Sequence, residues 1–427
     1  TWDGLIDDVA VWNRRITEDE IAQIWNGGDG ASIGGLFPES LGDVIDLNLA
    51  DNGGPTLTHA LKPNSTAIDA GVLADSIDAA GTPLATDQRG MGFKRLGGVY
   101  VDAGAIEYCP LEAWVAKPED YVITSDQGSP GLDLGDQVDW HSESLGKKTT
   151  LIFGINAFPS ISTALEAACP GATIKIAKGT YRDAISITDL DLHLEGDGAD
   201  LTFIDGGNVA QPFTIARSDV TLSGLSIQNG NADSGGGIQN IDGNLQVIQC
   251  SLTDNRATSS GGAIAHSGAS LRIIQTTLAN NHATLGSGIH ATDASVTIVN
   301  STLSSNHATS GGGGIYSHNG PLLLLQSTLT GNTASTVSGG GVWHDSGAAF
   351  VLHNTIVAGN HAPSGPDIFS NLALTSNGAN FIGRLAGVSA SAGLTDRTFS
   401  STGTVLEDVL QPTLANHGGP TKTHALV

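Results

Sequence analysis

The sequence is poor in charged and aromatic residues, and this shortage narrows the fold classes. Of 427 residues, 14% are charged and 5% are aromatic, and a single methionine is present. No apolar run approaches the roughly 20 residues of a membrane helix, so this segment is expected to contain no membrane span. Glycine is abundant instead, at 57 residues, which indicates many tight turns and argues against a helix-rich fold.

Cysteine is scarce as well. Cys109, Cys169 and Cys250 form an odd set without CxxC spacing, which argues against a zinc site and against a dense disulfide scaffold. One bridge, from Cys109 to Cys169, is compatible with the count. The chain begins at Thr1 without a signal peptide, so any export signal or anchor is expected outside it.

Basic residues are outnumbered by acidic residues, 18 to 43, which gives a net charge of -25. Most of the excess lies in the first 200 residues. Such a surface argues against nucleic acid as a partner and repels anionic polysaccharides unless a divalent cation bridges the two.

A repeat of 25 to 27 residues runs from about residue 225 to residue 365. Each repeat carries an apolar residue, then an asparagine, then a glycine-rich step that reads GGAI or GGGI. The apolar positions are Leu252, Leu278, Leu303, Leu329 and Ile356. The asparagines are Asn255, Asn281, Asn306, Asn332 and Asn360.

Each repeat contains three short strand-like runs, which predicts an all-β fold: a right-handed, single-stranded parallel β-helix with three strands and about 25 residues per coil. Equivalent residues then stack. The asparagines are expected to form a ladder in which each side-chain amide bonds its own coil's backbone and the coils above and below. Irregular and β segments precede the β-helix, and residues 161–170 predict a short helix that caps the first coil.

Two sets of motifs carry a resemblance to known families. The LxxN and GGAI elements resemble repeats of polymorphic outer-membrane and autotransporter-like surface proteins. The segment AACPGATIKIAKGTY, residues 167–181, resembles the start of the pectin-lyase-like superfamily. Both resemblances imply a β-helix.

Other motifs resemble parts of large modular bacterial surface proteins. LADNGGPTLTHAL (49–61), ATDQRG (85–90) and VDAGAIEY (101–108) are similar to a choice-of-anchor Q region, which in that family follows a β-helix. Here it precedes one, and LANHGGPTKTHAL reappears at 414–426, which suggests tandem modules in a longer polypeptide. Residues 4–28 are similar to the closing strand and helix of a laminin-G-like, concanavalin-type sandwich.

These observations divide the chain into five predicted regions. They are the end of a laminin-G-like sandwich (1–36), a choice-of-anchor Q-like region (37–115), a connector (116–160), the β-helix (161–410) and the start of a second anchor-Q-like motif (411–427).

Catalysis by a β-helix of this superfamily would need two carboxylates facing one groove, or a basic residue beside calcium ligands. The coils contain scattered acids that do not repeat in register, and their bases are Arg256 and Arg272. The acids are Asp233, Asp242, Asp254, Asp293, Asp345 and Asp367. The sequence therefore predicts no catalytic residues.

Three further groups are candidates for binding. Asp69, Asp87, Asp102 and Glu107, with Arg89, either converge on calcium or form a buried arginine pair, and the structural use is preferred. His282, His307 and His361 follow ladder asparagines, and we expect them to be solvent-facing turn residues. A column of metal ligands is the alternative. The same two interpretations apply to His266, His290, His318 and His344. The tryptophans are sugar platforms or core residues: Trp114, Trp140 and Trp343.

The sequence thus favours a non-catalytic, extracellular structural or adhesive module of a large bacterial surface protein. End-to-end assembly into a filament or sheath with other copies or modules is one extension of this hypothesis. A carbohydrate-binding β-helix that takes a cell-surface or extracellular polysaccharide is the first alternative. A polysaccharide lyase or glycoside hydrolase is the second. No cofactor other than calcium is suggested.

Overall fold

A computed structural model describes residues 41–386, 397–398 and 409–427. Short gaps within the first range comprise residues 53–54, 63–64, 69, 72–75, 78–81, 90–92, 95–100, 105, 126–131, 135, 143–145 and 348. The laminin-G-like segment predicted at 1–36 lies outside the described residues and stays a prediction. The four boundaries between the five predicted regions stay predictions as well.

The chain folds as a right-handed parallel β-helix of about eight turns, with about 26 residues per turn. Each coil contributes one strand to each of three parallel sheets, here called A, B and C. This architecture confirms the predicted fold class.

Sheet A has eleven strands, which are Glu112–Val115, Ala157–Phe158, Ala172–Ile176, Leu192–Gly196, Val220–Ser223, Leu245–Ile248, Ser270–Ile274, Ser295–Val299, Leu322–Leu325, Phe350–His353 and Leu374–Asn377. Sheet B has ten strands, which are Gly179–Tyr181, Thr202–Asp205, Ser226–Gln228, Ser251–Thr253, Thr277–Ala279, Thr302–Ser304, Thr328–Thr330, Ile356–Val357, Phe381–Ile382 and Arg397–Thr398. Sheet C has nine strands, which are Ile185–Thr188, Phe213–Ala216, Ile238–Ile241, Ile264–Ser267, Ile289–Thr292, Ile315–His318, Val342–Ser346, Ile368–Ser370 and Leu385–Ala386.

Five coils add a fourth short strand between sheets B and C. The sheet that these strands form, sheet D, consists of Asn231–Ser234, Arg256–Ser260, His282–Leu285, His307–Gly311 and Thr333–Ala334. Its strands contain Ser, Thr and Ala, residues that the sequence pattern assigned to turns. These residues adopt an extended conformation because their backbones pair with the neighbouring coils, although sheet D contains few large apolar side chains.

The interior is filled by columns of aliphatic side chains, because alternate residues of each strand point inward. Leu252, Leu278, Leu303 and Leu329 pair in register and are fully buried. The predicted fifth member, Ile356, is wrong: Leu329 pairs with Val357, and Ile356 pairs with Thr328. The repeat from Asn332 to Asn360 is 28 residues long, and Val357 lies three residues before Asn360, as Leu329 does before Asn332, so the alignment on Ile356 was out by one residue.

Left-handed backbone conformations recur at the corners between sheets. Asp242, Asp293 and Asn319 have φ values of 56°, 54° and 57° after three strands of sheet C. Asn and Asp tolerate this conformation better than most residues because their side chains bond the local backbone. The glycine-rich corner before sheet C needs glycine for space also, since a Cβ on Gly313 would lie 2.4 Å from the carbonyl oxygen of Gly340.

A capping helix, Ile161–Ala167, covers the first coil, as the sequence predicted. The Ser160 hydroxyl accepts a hydrogen bond from the Thr163 backbone N–H at 3.2 Å and so caps its first turn. Ile161, Ala164 and Leu165 are buried in the same core as the β-helix. The cap removes the apolar end of the coil stack from water.

Two strands of sheet A precede the first full coil. Glu112–Val115 pairs in parallel with Ala172–Ile176 and with Ala157–Phe158, so sheet A continues past the capping helix. An antiparallel sheet of Val122–Ser125, Gln137–Ser142 and Gly146–Ile152 is packed beside this end.

The remaining described elements are short. A helix spans Leu41–Val44, and a 3-10 helix spans Pro118–Asp120. A disulfide joins Cys109 to Cys169 and confirms the compatible pairing, whereas Cys250 is a fully buried free thiol. The bridge links the segment around residues 101–109 to the residue that follows the capping helix. Among the helices that the structure describes, none has the length and apolar character to cross a bilayer.

Candidate functional site

The five asparagines of the repeat lie one above another between sheets B and D and are buried. Each Nδ2 donates to a backbone carbonyl of the preceding coil. In the first four it also donates to the Oδ1 of the next asparagine, whereas Asn360 Nδ2 donates to Asp367 Oδ1 at 2.9 Å. At Asn306 these distances are 3.0 Å to Leu278 O and 2.9 Å to Asn332 Oδ1. The Asn306 Oδ1 also accepts from the N–H of Asn281 at 3.1 Å. The side chain thus bonds the preceding and the following coil, as predicted, whereas the predicted bond to its own coil's backbone is replaced by one to the preceding coil's backbone.

The ladder has a defined partner at each end. The Gly230 N–H donates to Asn255 Oδ1 at 2.9 Å, and the Asn360 N–H donates to Asp367 Oδ1 at 2.8 Å. The other carboxylate oxygen of Asp367 accepts from Arg384 N–H at 2.6 Å. Burial raises the pKa of Asp367 above its usual range. This carboxylate therefore ends the ladder because it only accepts, and no further asparagine is needed.

A second ladder, which the sequence analysis missed, runs between sheets A and B. Each side chain in it accepts a hydrogen bond from the backbone N–H of the preceding member. For example, the N–H of Ser301 donates to Ser327 Oγ at 3.2 Å, and Ser301 Oγ accepts from Thr276 N–H at 3.1 Å. The members are Thr276, Ser301, Ser327, Thr355 and Asn380, and Cys250 donates to the first. The signal was their spacing of 25 to 28 residues.

The acids of the predicted anchor region form an arginine pair. Arg89 Nη2 donates to Asp87 Oδ2 at 2.6 Å, and both side chains are buried. Glu107 Oε2 accepts from Asp102 N–H at 2.9 Å, and Asp102 Oδ2 accepts from Tyr108 N–H. These carboxylates thus bond to the chain itself. Asp69 lies outside the described residues.

Metal-ligand clusters are a separate question. Across the described ranges, no group of three or more His, Cys, Asp or Glu side chains has an arrangement that would hold a metal ion. Calcium therefore stays a prediction.

Of the histidines that follow ladder asparagines, His282 and His307 lie in sheet D, whereas His361 forms an isolated bridge with Thr333 and is exposed. His282 and His307 pair in register with ring centroids 5.7 Å apart, between Arg256 and Thr333. Burial, then the charges of His307 and Arg256, lowers the pKa of His282. His282 and His307 lie in strands and are at least partly exposed, so for these two the expectation of turn residues was wrong and that of solvent contact was right.

His266 and His344 differ from this expectation more strongly. Both point inward in one column of sheet C, where pairing runs from Asn240 through His266 to Ala291, Ser317 and His344. Both are buried, at 2% and 0% exposure. His266 Nδ1 accepts from Asn240 Nδ2 at 2.8 Å, and burial lowers the pKa of His266 to about 4. Sequence spacing alone did not indicate which strand residues point inward.

An aromatic column lies on the outer face of sheet C. Its rings, on consecutive coils, are half-buried and pair in register: His290, Tyr316, Trp343 and Phe369. Centroids are 5.1 Å apart for His290 and Tyr316, 5.2 Å for Tyr316 and Trp343, and 6.0 Å for Trp343 and Phe369. The first pair is stacked, and the other two are edge-to-face, as aromatic pairs prefer.

Polar groups flank this column. His318 Nδ1 lies 3.1 Å from Asp345 Oδ2, and Asn371 Nδ2 donates to Asp345 Oδ1 at 2.7 Å. Burial, then Asp345, raises the pKa of Tyr316. The Trp343 ring lies over Gly311, where a Cβ would come within 2.1 Å of Trp343 Cε3. The face therefore combines flat apolar rings with a carboxylate acceptor.

The other two candidate tryptophans are core residues. Trp114 and Trp140 are each 2% exposed, with ring centroids 4.6 Å apart, beside the antiparallel sheet. The scattered coil acids are also occupied by neighbouring coils: Asp233 accepts from the Thr258 hydroxyl at 2.6 Å, and Asp293 accepts from Asn319. Both acids thus contact the next coil along the stack.

Comparison with known proteins gives a match to a family model and a likeness among solved structures. Residues 300–318 match the model of the Chlamydia polymorphic membrane protein repeat, a stretch that contains Asn306 and the glycine-rich corner after it. Among solved structures, the chain is similar to a pectin methylesterase mutant in complex with a hexasaccharide, at 13% identity and a TM-score of 0.29. That similarity covers 57% of this chain and 90% of the other, and at this score it carries no argument about activity. No curated protein matches the chain.

Proposed function

We propose that the chain is a non-catalytic structural and adhesive module of a bacterial cell surface that assembles end to end with other copies. The observation that carries this proposal is the register of the coils. Buried ladders and stacked columns use the polar side chains of the β-helix for contacts between its own coils, which favours a stiff rod. The match to a polymorphic membrane protein repeat supports a place at the cell surface.

The surface charge is consistent with an extracellular role. A net charge of -25 favours solubility and disfavours nucleic acid and anionic polymers as partners. The disulfide between Cys109 and Cys169 supports an oxidising compartment.

Display of the chain on non-adherent bacterial cells tests the proposal. We expect displaying cells to aggregate with one another, because the rods present the same surface on each cell. Cells that display the Asn306→Ala variant are expected to aggregate less, because that substitution destabilises the rod. In parallel, purified chain is expected to release neither methanol, reducing ends nor unsaturated products from methylesterified pectin. Turnover that scales with protein concentration and is lost on substitution of a coil aspartate would contradict the proposal.

Carbohydrate binding is the second candidate, and the aromatic column favours it. Flat rings on consecutive coils present faces of the kind that stack on sugar rings, and Asp345 accepts hydrogen bonds at the column's side. Neutral chains fit this face better than polyanions because the protein is strongly acidic.

Affinity gel electrophoresis with hydroxyethyl cellulose and with methylesterified pectin tests this candidate. Trp343→Ala is expected to lower the affinity for the polysaccharide about tenfold, a change in binding free energy of about 1.4 kcal/mol, because it removes the ring between Tyr316 and Phe369. The variant should therefore be retarded less in the gel. Trp343→Phe should keep most of the binding. Leu323→Ala, an outward position of sheet A, is the control on another face. Equal mobility of wild type and Trp343→Ala in every gel would exclude the column as a sugar site.

A further inference from the structure

Two segments of the chain, 365 residues apart, fold into the same hairpin. In the first, which we call the N-hairpin (residues 44–62), Ala50 and Thr58 exchange backbone hydrogen bonds of 2.9 and 3.0 Å. In the second, the C-hairpin (residues 409–427), Ala415 and Thr423 exchange bonds of 3.1 and 2.9 Å.

The match extends to both ends of the hairpin. Lys62 N–H donates to Val44 O, and Val427 N–H donates to Val409 O. A side-chain contact repeats as well. In the N-hairpin, His59 Nδ1 lies 2.8 Å from the Asp46 carbonyl oxygen, and in the C-hairpin the equivalent His424 Nδ1 lies 2.8 Å from the Gln411 carbonyl oxygen. The two hairpins are therefore equivalent structures.

The C-hairpin docks on sheet B through one strand of its sequence, TKTH. Thr421 Oγ1 donates to the Gln275 carbonyl at 3.2 Å, and the Lys422 carbonyl accepts from the Thr277 hydroxyl. We call the part of sheet B that it covers the docking face, which consists of Thr277, Thr302 and Ser304; Gln275 lies in the corner just before this sheet.

The contacts continue along the next two residues of the C-hairpin. The hydroxyl oxygens of Thr423 and Thr302 are 2.9 Å apart, and His424 Nε2 lies 2.9 Å from Ser304 Oγ. His424 is 8% exposed as a result. Four consecutive residues thus make four polar contacts with sheet B and the corner before it.

The same face of the N-hairpin is open to solvent only in part. Thr58, the equivalent of Thr423, is buried and its hydroxyl accepts from Asn52 Nδ2 at 3.1 Å, and the Thr56 hydroxyl accepts from Gln88 Nε2 at 3.1 Å. His59, the equivalent of His424, is exposed, and so is Thr56, the equivalent of Thr421. Leu49 is 56% exposed, whereas its equivalent Leu414 is half-buried beside the docking face. The inner side of the N-hairpin is covered, since Leu61 is packed against Ala67 and Ile106.

We propose that the N-hairpin is a docking element for sheet B of a second copy of this chain, with His59 and Thr56 in the places that His424 and Thr421 occupy. The C-hairpin shows both the fit and the partner surface. This inference rests on the proposed structural role and names a contact between copies, in which the N-hairpin of one chain meets the side of the β-helix of another.

In each chain the docking face is covered by its own C-hairpin, which has the advantage of a high effective concentration. A second copy therefore binds only where the C-hairpin leaves the face. The free chain is accordingly expected to be a monomer, and exchange of hairpins is expected to join one chain to the next.

Mixing two variants that each retain one half of the contact tests the proposal. The acceptor lacks residues 409–427 and carries Leu49→Asp, so that its docking face is open and its N-hairpin is disabled. The donor is the full chain, whose N-hairpin is intact and whose docking face is covered. Sedimentation velocity is expected to show a 1:1 complex, since neither partner can extend it.

The control donor is the full chain with Leu49→Asp, a substitution at an exposed position that leaves the core unchanged. We expect it to bind the acceptor at least tenfold more weakly. No complex with the wild-type donor, or a complex of equal strength with the control donor, would overturn the proposal.

A second acceptor keeps the test decisive if the deletion impairs folding. Ala415→Pro with Leu49→Asp retains every residue of the C-hairpin but removes the Ala415 N–H that bonds Thr423 O. Circular dichroism establishes that the acceptor is folded before mixing. The mixing experiment tests docking of the hairpin, and the aggregation of displaying cells tests adhesion. Cells that aggregate while the purified variants do not bind would contradict the docking proposal alone.

Discussion

Replacing Asn306 by alanine is expected to lower the free energy of unfolding by about 4 kcal/mol. The substitution removes a buried amide from the middle of the ladder. Two donors of Asn281, its N–H and its Nδ2, lose their acceptor, and the Leu278 carbonyl loses its donor. Each buried polar group without a partner costs about 1 to 3 kcal/mol, and water does not reach this position, where Asn306 is fully buried.

Urea denaturation followed by circular dichroism measures this effect. Thr309→Ala is the matched control, because Thr309 is an exposed residue of the same coil, and it should change the free energy by less than about 0.5 kcal/mol. If Asn306→Ala unfolded within about 1 kcal/mol of wild type, the ladder would not hold the coils together.

Reduction of the disulfide between Cys109 and Cys169 is expected to cost about 4 kcal/mol. The bridge closes a loop with a sequence separation of 60, and the chain-entropy treatment gives about 3 kcal/mol for 15 residues and about 4.7 for 100. It also holds the segment around Arg89 and Glu107 against the residue that follows the capping helix. Thermal unfolding with and without reductant measures the loss.

The double variant Cys109→Ala/Cys169→Ala separates the bridge from other effects of the reductant. Its melting temperature should equal that of the reduced wild type and should not respond to reductant, because Cys250 is a buried free thiol. An unchanged melting temperature of the wild type after complete reduction, verified by thiol titration, would show that the bridge does not stabilise the chain.

The regular part of the fold was predictable because one repeat encodes it many times. Each coil carries the same apolar residue, asparagine and glycine-rich step, so a single spacing gave the architecture and the ladder positions. The pattern also placed the capping helix, where an amphipathic run precedes the first strand. Val357 was missed because the apolar position was assigned to Ile356, although Val357 lies three residues before Asn360, as Leu329 does before Asn332.

Features that depend on side-chain direction were not predictable from spacing. His266 was expected to face solvent, yet it lies inward beside Asn240, because a shift of one residue along a strand reverses the face. The aromatic column escaped for a related reason. Its members differ in type, so no single residue recurs, although Tyr316 and Trp343 each follow the apolar residue of a glycine-rich step and pair in the structure.

The docking of the C-hairpin was not predictable either. The sequence shows that the motif at 49–61 returns at 414–426, which indicates a repeated unit but not its location on sheet B. The docking face consists of Thr and Ser residues that look like ordinary strand residues, such as Thr302 and Ser304. Only the contact itself distinguishes the buried hairpin from the exposed one.

A double-mutant cycle between Asn281 and Asn306 tests the central claim, that the coils are held as one stack by residues in register, most directly. The two side chains are joined by a hydrogen bond of 2.9 Å, so the account predicts a coupling free energy of about 1 kcal/mol or more. The pair Asn255 and Asn360, at opposite ends of the ladder, should instead be additive within about 0.5 kcal/mol. Additivity for Asn281 and Asn306 as well would contradict the account.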